Sequence, residues 1–146
     1  MGYRLYGFMI GDEIHFDISN RRLYRLTGSH TDKSIAFASI YFNETMLRLF
    51  LYLLEHGRRT AISKEELFDK IWEENNLCPS TQRLWQVLNN LNKKLRLLGL
   101  PADFIRNVKG RGYMINYQDV IPVYYRMSEL PPQPDNKREK PDSLSE

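Results

Sequence analysis

The sequence predicts an α+β fold with an N-terminal four-stranded antiparallel sheet, three helices and a C-terminal β-hairpin. Three observations carry that expectation. The first 42 residues hold short runs of aromatic and β-branched side chains broken by turn-forming pairs. Residues 43–98 switch to helical periodicity. Residues 104–117 then place two β-prone runs around a Lys109-Gly110-Arg111-Gly112 turn.

The elements follow in order. Tyr3–Ile10, Ile14–Ile18, Arg22–Leu26 and Ile35–Phe42 read as strands of a meander, separated by Gly11-Asp12, Ser19-Asn20 and Thr27–Lys33. Asn43 is a fitting N-cap for a helix to about His56, closed by Gly57, with Leu47, Phe50, Leu51 and Leu54 on its apolar face. Ser63-Lys-Glu-Glu66 matches a capping box and opens a second helix with Leu67, Phe68, Ile71 and Trp72 inward. Glu73–Pro79 is a short acidic connection. Ser80 caps the third and longest helix, which Gly99 and Pro101 end. Its residues Leu84, Val87, Leu88, Leu91, Leu95 and Leu98 form one stripe. After the hairpin, Val120–Tyr125 can return as a last strand. Residues 1–127 are thus expected to fold, and 128–146, rich in proline and charge, to form a disordered tail or linker.

Composition bounds the function. A chain of 146 residues with 42% apolar content suits one globular domain plus a tail. No apolar run reaches the roughly 20 residues of a membrane-spanning helix, the run at Leu47–Leu54 being interrupted by Arg48. The N-terminus lacks a signal-peptide layout, and Cys78 has no partner for an internal disulfide, so a reducing, cytoplasmic setting is expected. The net charge of +3 is unevenly spread: residues 80–112 carry seven Lys/Arg against Asp103 alone. Nearly all the excess positive charge therefore lies on the third helix and hairpin, where it suits a polyanion.

The residue types there point further. The sector opposite the apolar stripe holds Gln82, Arg83, Gln86, Asn89, Asn90 and Lys93, with no acid anywhere between Glu74 and Asp103. A solvated helix ordinarily mixes Glu with Lys for i,i+4 pairing. Amides can pair bidentately with adenine, and Lys or Arg with guanine or phosphate. Lys109 and Arg111 would add salt-sensitive, sequence-independent affinity from the hairpin.

Four motifs in order resemble the OmpR/PhoB-type winged-helix DNA-binding domain. They are Asn43-Glu-Thr, Ser63-Lys-Glu-Glu-Leu-Phe-Asp-Lys-Ile-Trp72, Leu91-Asn-Lys-Lys-Leu95 and Val108-Lys-Gly-Arg-Gly-Tyr113, within about Glu13 to Ile115. Phe16-Asp-Ile-Ser-Asn20 and Leu23 look closest to the ToxR-like (CadC-like) branch, in which many DNA-binding domains are tethered to a membrane segment; a membrane link is expected here only through a segment not present in this chain. The resemblance implies a winged helix-turn-helix with the third helix in the major groove and the hairpin as a wing on the adjacent minor groove or phosphates. It places Gln82, Asn89, Asn90 and Asn92 where relatives often carry contacting arginines. It matches Asn107, Lys109 and Tyr113 to the wing and Trp72 to an indole whose N–H can donate to a phosphate. It also implies that Glu73, Glu74, Asn75 and Asn76 lie in a loop through which some relatives contact RNA polymerase; a plain acidic connector is the other reading. Amides in place of arginines imply weak single-domain affinity, supplemented by a homodimer or tandem sites on DNA.

Other residues invite plainer readings. Trp72 suits a core position as well as a phosphate contact, and Trp85, at the margin of the apolar stripe, is expected to be buried. Tyr117, Tyr124 and Tyr125 are expected to pack on the sheet or first helix. His15, His30 and His56 show neither metal-ligand spacing nor a nucleophile arrangement, and Asp12-Glu13 and Glu65-Glu66 belong to a turn and a cap. No enzyme activity, metal or cofactor is expected. The sequence thus supports a sequence-specific transcriptional regulator bound to double-stranded DNA. The alternative is a winged-helix module that binds a regulator or RNA polymerase with little DNA affinity.

Overall fold

The structure is a computed structural model that describes residues 2–28 and 35–127. His30 and the expected tail at 128–146 lie outside the described residues. In chain order the elements are β1 (Tyr3–Ile10), β2 (Ile14–Asp17), β3 (Arg22–Gly28), β4 (Ile35–Tyr41), α1 (Glu44–His56) and α2 (Lys64–Leu67). A wide π turn (Phe68–Trp72) and a 3-10 turn (Glu73–Asn75) continue α2, and α3 (Thr81–Leu97), β5 (Ile105–Val108), β6 (Gly112–Ile115) and β7 (Val120–Arg126) follow.

Strands β1 to β4 form the expected meander, since apolar residues alternate with polar ones between tight turns. Phe8, Ile10, Ile14, Phe16 and Leu23 fall on its covered face. At the β2–β3 turn the Asn20 amide donates to buried Asp17 at 2.7 Å. The returning strand β7 pairs antiparallel with β1, so the sheet has five strands in the order β4-β3-β2-β1-β7. Tyr117 packs on Phe104 at 5.3 Å, and Tyr125 sits edge-on to Tyr6. Tyr124 departs from expectation and is 55% exposed. It lies on an edge strand, where a side chain is covered on fewer sides.

Helix α1 begins where Asn43 accepts from the Met46 amide at 2.9 Å and ends where the Gly57 amide donates to Leu53 O. Its buried face is Met46, Leu49, Phe50, Leu53 and Leu54, while Leu47 and Leu51 are only half-buried. The expected face was therefore rotated. The reason is that α1 is covered from several sides: Phe50 meets Phe16 of the sheet at 5.1 Å and Phe104 before the hairpin at 6.2 Å. Each such buried ring contributes about 1.5–3 kcal/mol over exposure.

Half of the expected capping box forms at α2. Ser63 Oγ accepts from the Glu66 amide at 3.1 Å, whereas the Glu66 carboxylate accepts from the Tyr52 hydroxyl of α1. That contact ties the first two helices together. The π turn brings Ile71 and Trp72 into the core beside Leu67, and Phe68 is half-buried against Trp72.

Candidate nucleic-acid interface

Helix α3 is built as its periodicity requires. Ser80 Oγ accepts from the Arg83 amide at 3.0 Å, and Leu84, Val87, Leu88, Leu91 and Leu95 are buried, followed by Leu98 just past the helix end. The opposite sector is then fixed by geometry: Gln82, Arg83, Gln86, Asn90 and Lys93 are exposed, and Asn89 and Asn92 are half-buried. The first turn carries no acid, so its unpaired backbone amides remain a net positive end. At the other end Arg25 of β3 donates through Nη1 to the Leu98 carbonyl at 2.7 Å and is held by Glu13 at 2.8 Å. Gly99, at φ +91°, allows that approach, because a Cβ there would lie 2.2 Å from Arg25 Nη1. The sheet thereby grips the end of α3.

The hairpin β5–β6 is anchored by its second strand. Tyr113 and Ile62 exchange backbone hydrogen bonds at 2.9 and 2.7 Å, and the Ile115 amide donates to Gly57 O at 2.8 Å. Gly112, at φ +133°, makes the docking possible, since a Cβ there would fall 1.9 Å from the Ile62 carbonyl oxygen. The turn residues Lys109 and Arg111 are exposed, as are Arg106 and Asn107. The nearby acid Asp103 accepts from the Asn116 side chain at 2.9 Å. Arg106 was not singled out from sequence; strand alternation sends it to the face opposite Asn107.

A cleft between α3 and the hairpin is lined by Trp85, Asn89 and Asn92 on one side and Asn107 and Tyr113 on the other. A second hollow joins Asn43 at the start of α1 to Arg83, Gln86 and Asn90. Lys64 and Glu65, at the start of α2, border the hairpin turn beside Arg111. The structure thus brings Asn89 and Asn92 of α3 together with Asn107 and Tyr113 of the hairpin, while Arg83, Gln86 and Asn90 face the start of α1 and Arg111 borders the start of α2.

Two tryptophans are placed differently from some expectations. Trp72 is 2% exposed and belongs to the core, which removes it from the assembled surface. Trp85 overturns the burial expected of it: it is 62% exposed. Burial goes to Leu84 and Leu88, which flank it along the chain and face the core, and this turns position 85 outward. The one signal in the sequence was its offset from the stripe.

The connection after α2 is partly ordered by its own chain. Asn75 donates to Ile71 O at 3.0 Å, and Asn76 takes the left-handed conformation at φ +59°. Glu73 and Glu74 are exposed, with Glu74 accepting from Lys70 at 3.1 Å, a contact that raises the lysine pKa. Among the described residues no cluster of His, Cys, Asp and Glu could hold a metal ion, and no helix is long and apolar enough to cross a membrane.

Residues 38–115 match the family described as "Transcriptional regulatory protein, C terminal". The chain belongs to that family. This is the OmpR/PhoB-type domain that the four motifs resembled, and membership places it among transcriptional regulatory proteins. A stretch of 71 residues is 37% identical to Protein RcaC of Microchaete diplosiphon, covering 49% of this chain but only 11% of that protein. The fold resembles the DNA-binding domain of E. coli CadC, with a TM-score of 0.61 at 18% identity over 84% of this chain and 100% of that one. It also resembles the DNA-binding domain of the response regulator AdeR, solved in complex with an intercistronic region: TM-score 0.52, 17% identity, 73% of this chain and 96% of that one. At such identities the structural likenesses speak for the winged-helix fold.

Proposed function

We propose that the domain binds duplex DNA with α3 in the major groove and the β5–β6 wing on the adjacent minor groove or its phosphates. One observation carries the reading. An acid-free helix face of amides and cations lies across a cleft from Asn107 and Tyr113 of a hairpin whose turn carries exposed Lys109 and Arg111, and helix and hairpin share one core. Gln82, Gln86, Asn89 and Asn90 supply donor–acceptor pairs for base edges, and Arg83 and Lys93 reach guanine or phosphate. Asn92 and Asn107 line opposite sides of the cleft and contact the groove wall. Lys109 and Arg111 neutralise phosphates, while Tyr113 positions the wing through its backbone pairing with Ile62. Trp72 supports the α2 end of the surface from within the core.

Replacing Lys109 and Arg111 by Ala should lower the slope of log affinity against log salt by about 1.8, two phosphates at 0.9 each. Titration of the full chain against a selected duplex at several salt concentrations measures this. An unchanged slope contradicts the wing assignment.

The amide-rich face supports a second element of the proposal. With few arginines to grip phosphates, one domain on one half-site binds weakly, and two copies on adjacent half-sites supplement it. Nanomolar binding of a monomer to a single half-site at physiological salt would contradict that. The exposed Glu73 and Glu74 on the connection to α3 offer an acidic contact to RNA polymerase, and Asn75 and Asn76 shape that turn. If the basic face instead serves a protein partner, duplex binding stays weak at physiological salt and does not distinguish one sequence from another.

A further inference from the structure

The exposed Trp85 has no structural reason to be an indole. Its flanking leucines make the core contacts, and the helix would form at least as well with alanine there. It sits in the first third of α3, and positions 85, 89 and 92 share one side of the helix at i, i+4 and i+7 spacing. Asn89 and Asn92 line the same cleft, which the wing closes with Asn107 and Tyr113. No carboxylate belongs to this set.

We propose that Trp85 is a specificity-determining residue that reads thymine through its 5-methyl group. This rests on the major-groove reading of α3. Across its major-groove edge an A·T pair presents adenine N7 and N6, then thymine O4 and the thymine methyl group. Asparagine matches the adenine groups, and a large apolar ring matches the methyl group. A side-chain amide and an indole one turn apart on a helix can therefore read the same or neighbouring A·T pairs. The indole carries one donor and no acceptor, so it does not reproduce the bidentate pairing that selects guanine or adenine. Its contribution is contact area against an apolar group. The consequence is a half-site with thymine opposite the first two turns of α3.

The test starts with duplexes selected from a random pool by the full chain. Failure to enrich any duplex would overturn DNA binding itself, apart from the role of Trp85. Given an enriched site, thymines are replaced one at a time by deoxyuridine, which removes only the methyl group. At one or two positions the unmodified protein should lose roughly three- to tenfold in affinity, the scale of one buried methyl group. Trp85→Ala should lose at least as much on the thymine site and show no further loss with deoxyuridine. Trp85→Phe should recover part of the discrimination. Because Trp72 is buried, acrylamide quenching reports mainly on Trp85 and should fall when the duplex binds. Equal deoxyuridine penalties in the natural protein and Trp85→Ala would overturn the proposal, as would unchanged quenching on binding. Loss of partner-protein binding by Trp85→Ala with DNA affinity intact would assign the indole to a protein surface and overturn it too.

Discussion

Gly112 shows how one missing side chain can hold the interface together. Its φ of +133° and the 1.9 Å that would separate a Cβ from the Ile62 carbonyl leave no room for any other residue. Gly112→Ala should destabilise the domain by about 1–3 kcal/mol through backbone strain, with further cost if the wing detaches. Thermal melting measures the loss, and amide exchange at Tyr113 and Ile115 shows whether the wing has separated. Tyr52 offers a pH-dependent counterpart. Partial burial first, and then its hydrogen bond to Glu66, push its pKa up from 10.0 to about 12. A phenol whose pKa rises on folding contributes stability that is present below about pH 10 and lost as pH climbs toward 12. Ultraviolet titration should show a late tyrosine phase that shrinks in Tyr52→Phe, the remainder belonging to Tyr6, whose pKa the Asp17 carboxylate also raises. A late phase of undiminished size in that variant would reassign the shift.

Among the elements, α3 supplies most of the proposed contacts and has a firm hold at each end. Ser80→Ala should cost about 1 kcal/mol through loss of the N-cap. Arg25→Ala should cost a similar amount, because it frees the Leu98 carbonyl and removes a cation from the helix C-terminus, although its ion pair with Glu13 is partly solvated. Chemical denaturation reads both; no loss in either variant would mean that packing alone sets the helix ends. These holds differ in how legible they were. Ser80, Asn43 and Ser63 announce themselves, because capping is local and uses few residue types. The stripe from Leu84 to Leu98 was readable because a helix buried on one face must repeat. Arg25 was not, since nothing local links a strand residue to a carbonyl 73 positions away. The rotated face of α1 and the outward turn of Trp85 failed for a related reason. Periodicity locates a stripe, but neighbouring elements decide how wide it is and which margin residue stays uncovered.

Across the whole molecule, the five-stranded sheet, the helices and the wing share one core. In the proposed complex that shared core would let a modest number of amides and cations act together on one stretch of duplex. The family and the fold were legible from four ordered motifs, whereas which of the candidate contact residues are exposed became clear only in the folded molecule. The most direct test of the account is quantitative footprinting of the full chain on a selected duplex, repeated with Gln86→Ala/Asn90→Ala and with Lys109→Ala/Arg111→Ala. The account predicts protection of a major-groove segment with the adjoining minor groove. The amide variant should lose discrimination between sites, and the wing variant should lose affinity evenly across all of them. A footprint that neither pair of substitutions alters, or no footprint at low salt, would contradict it.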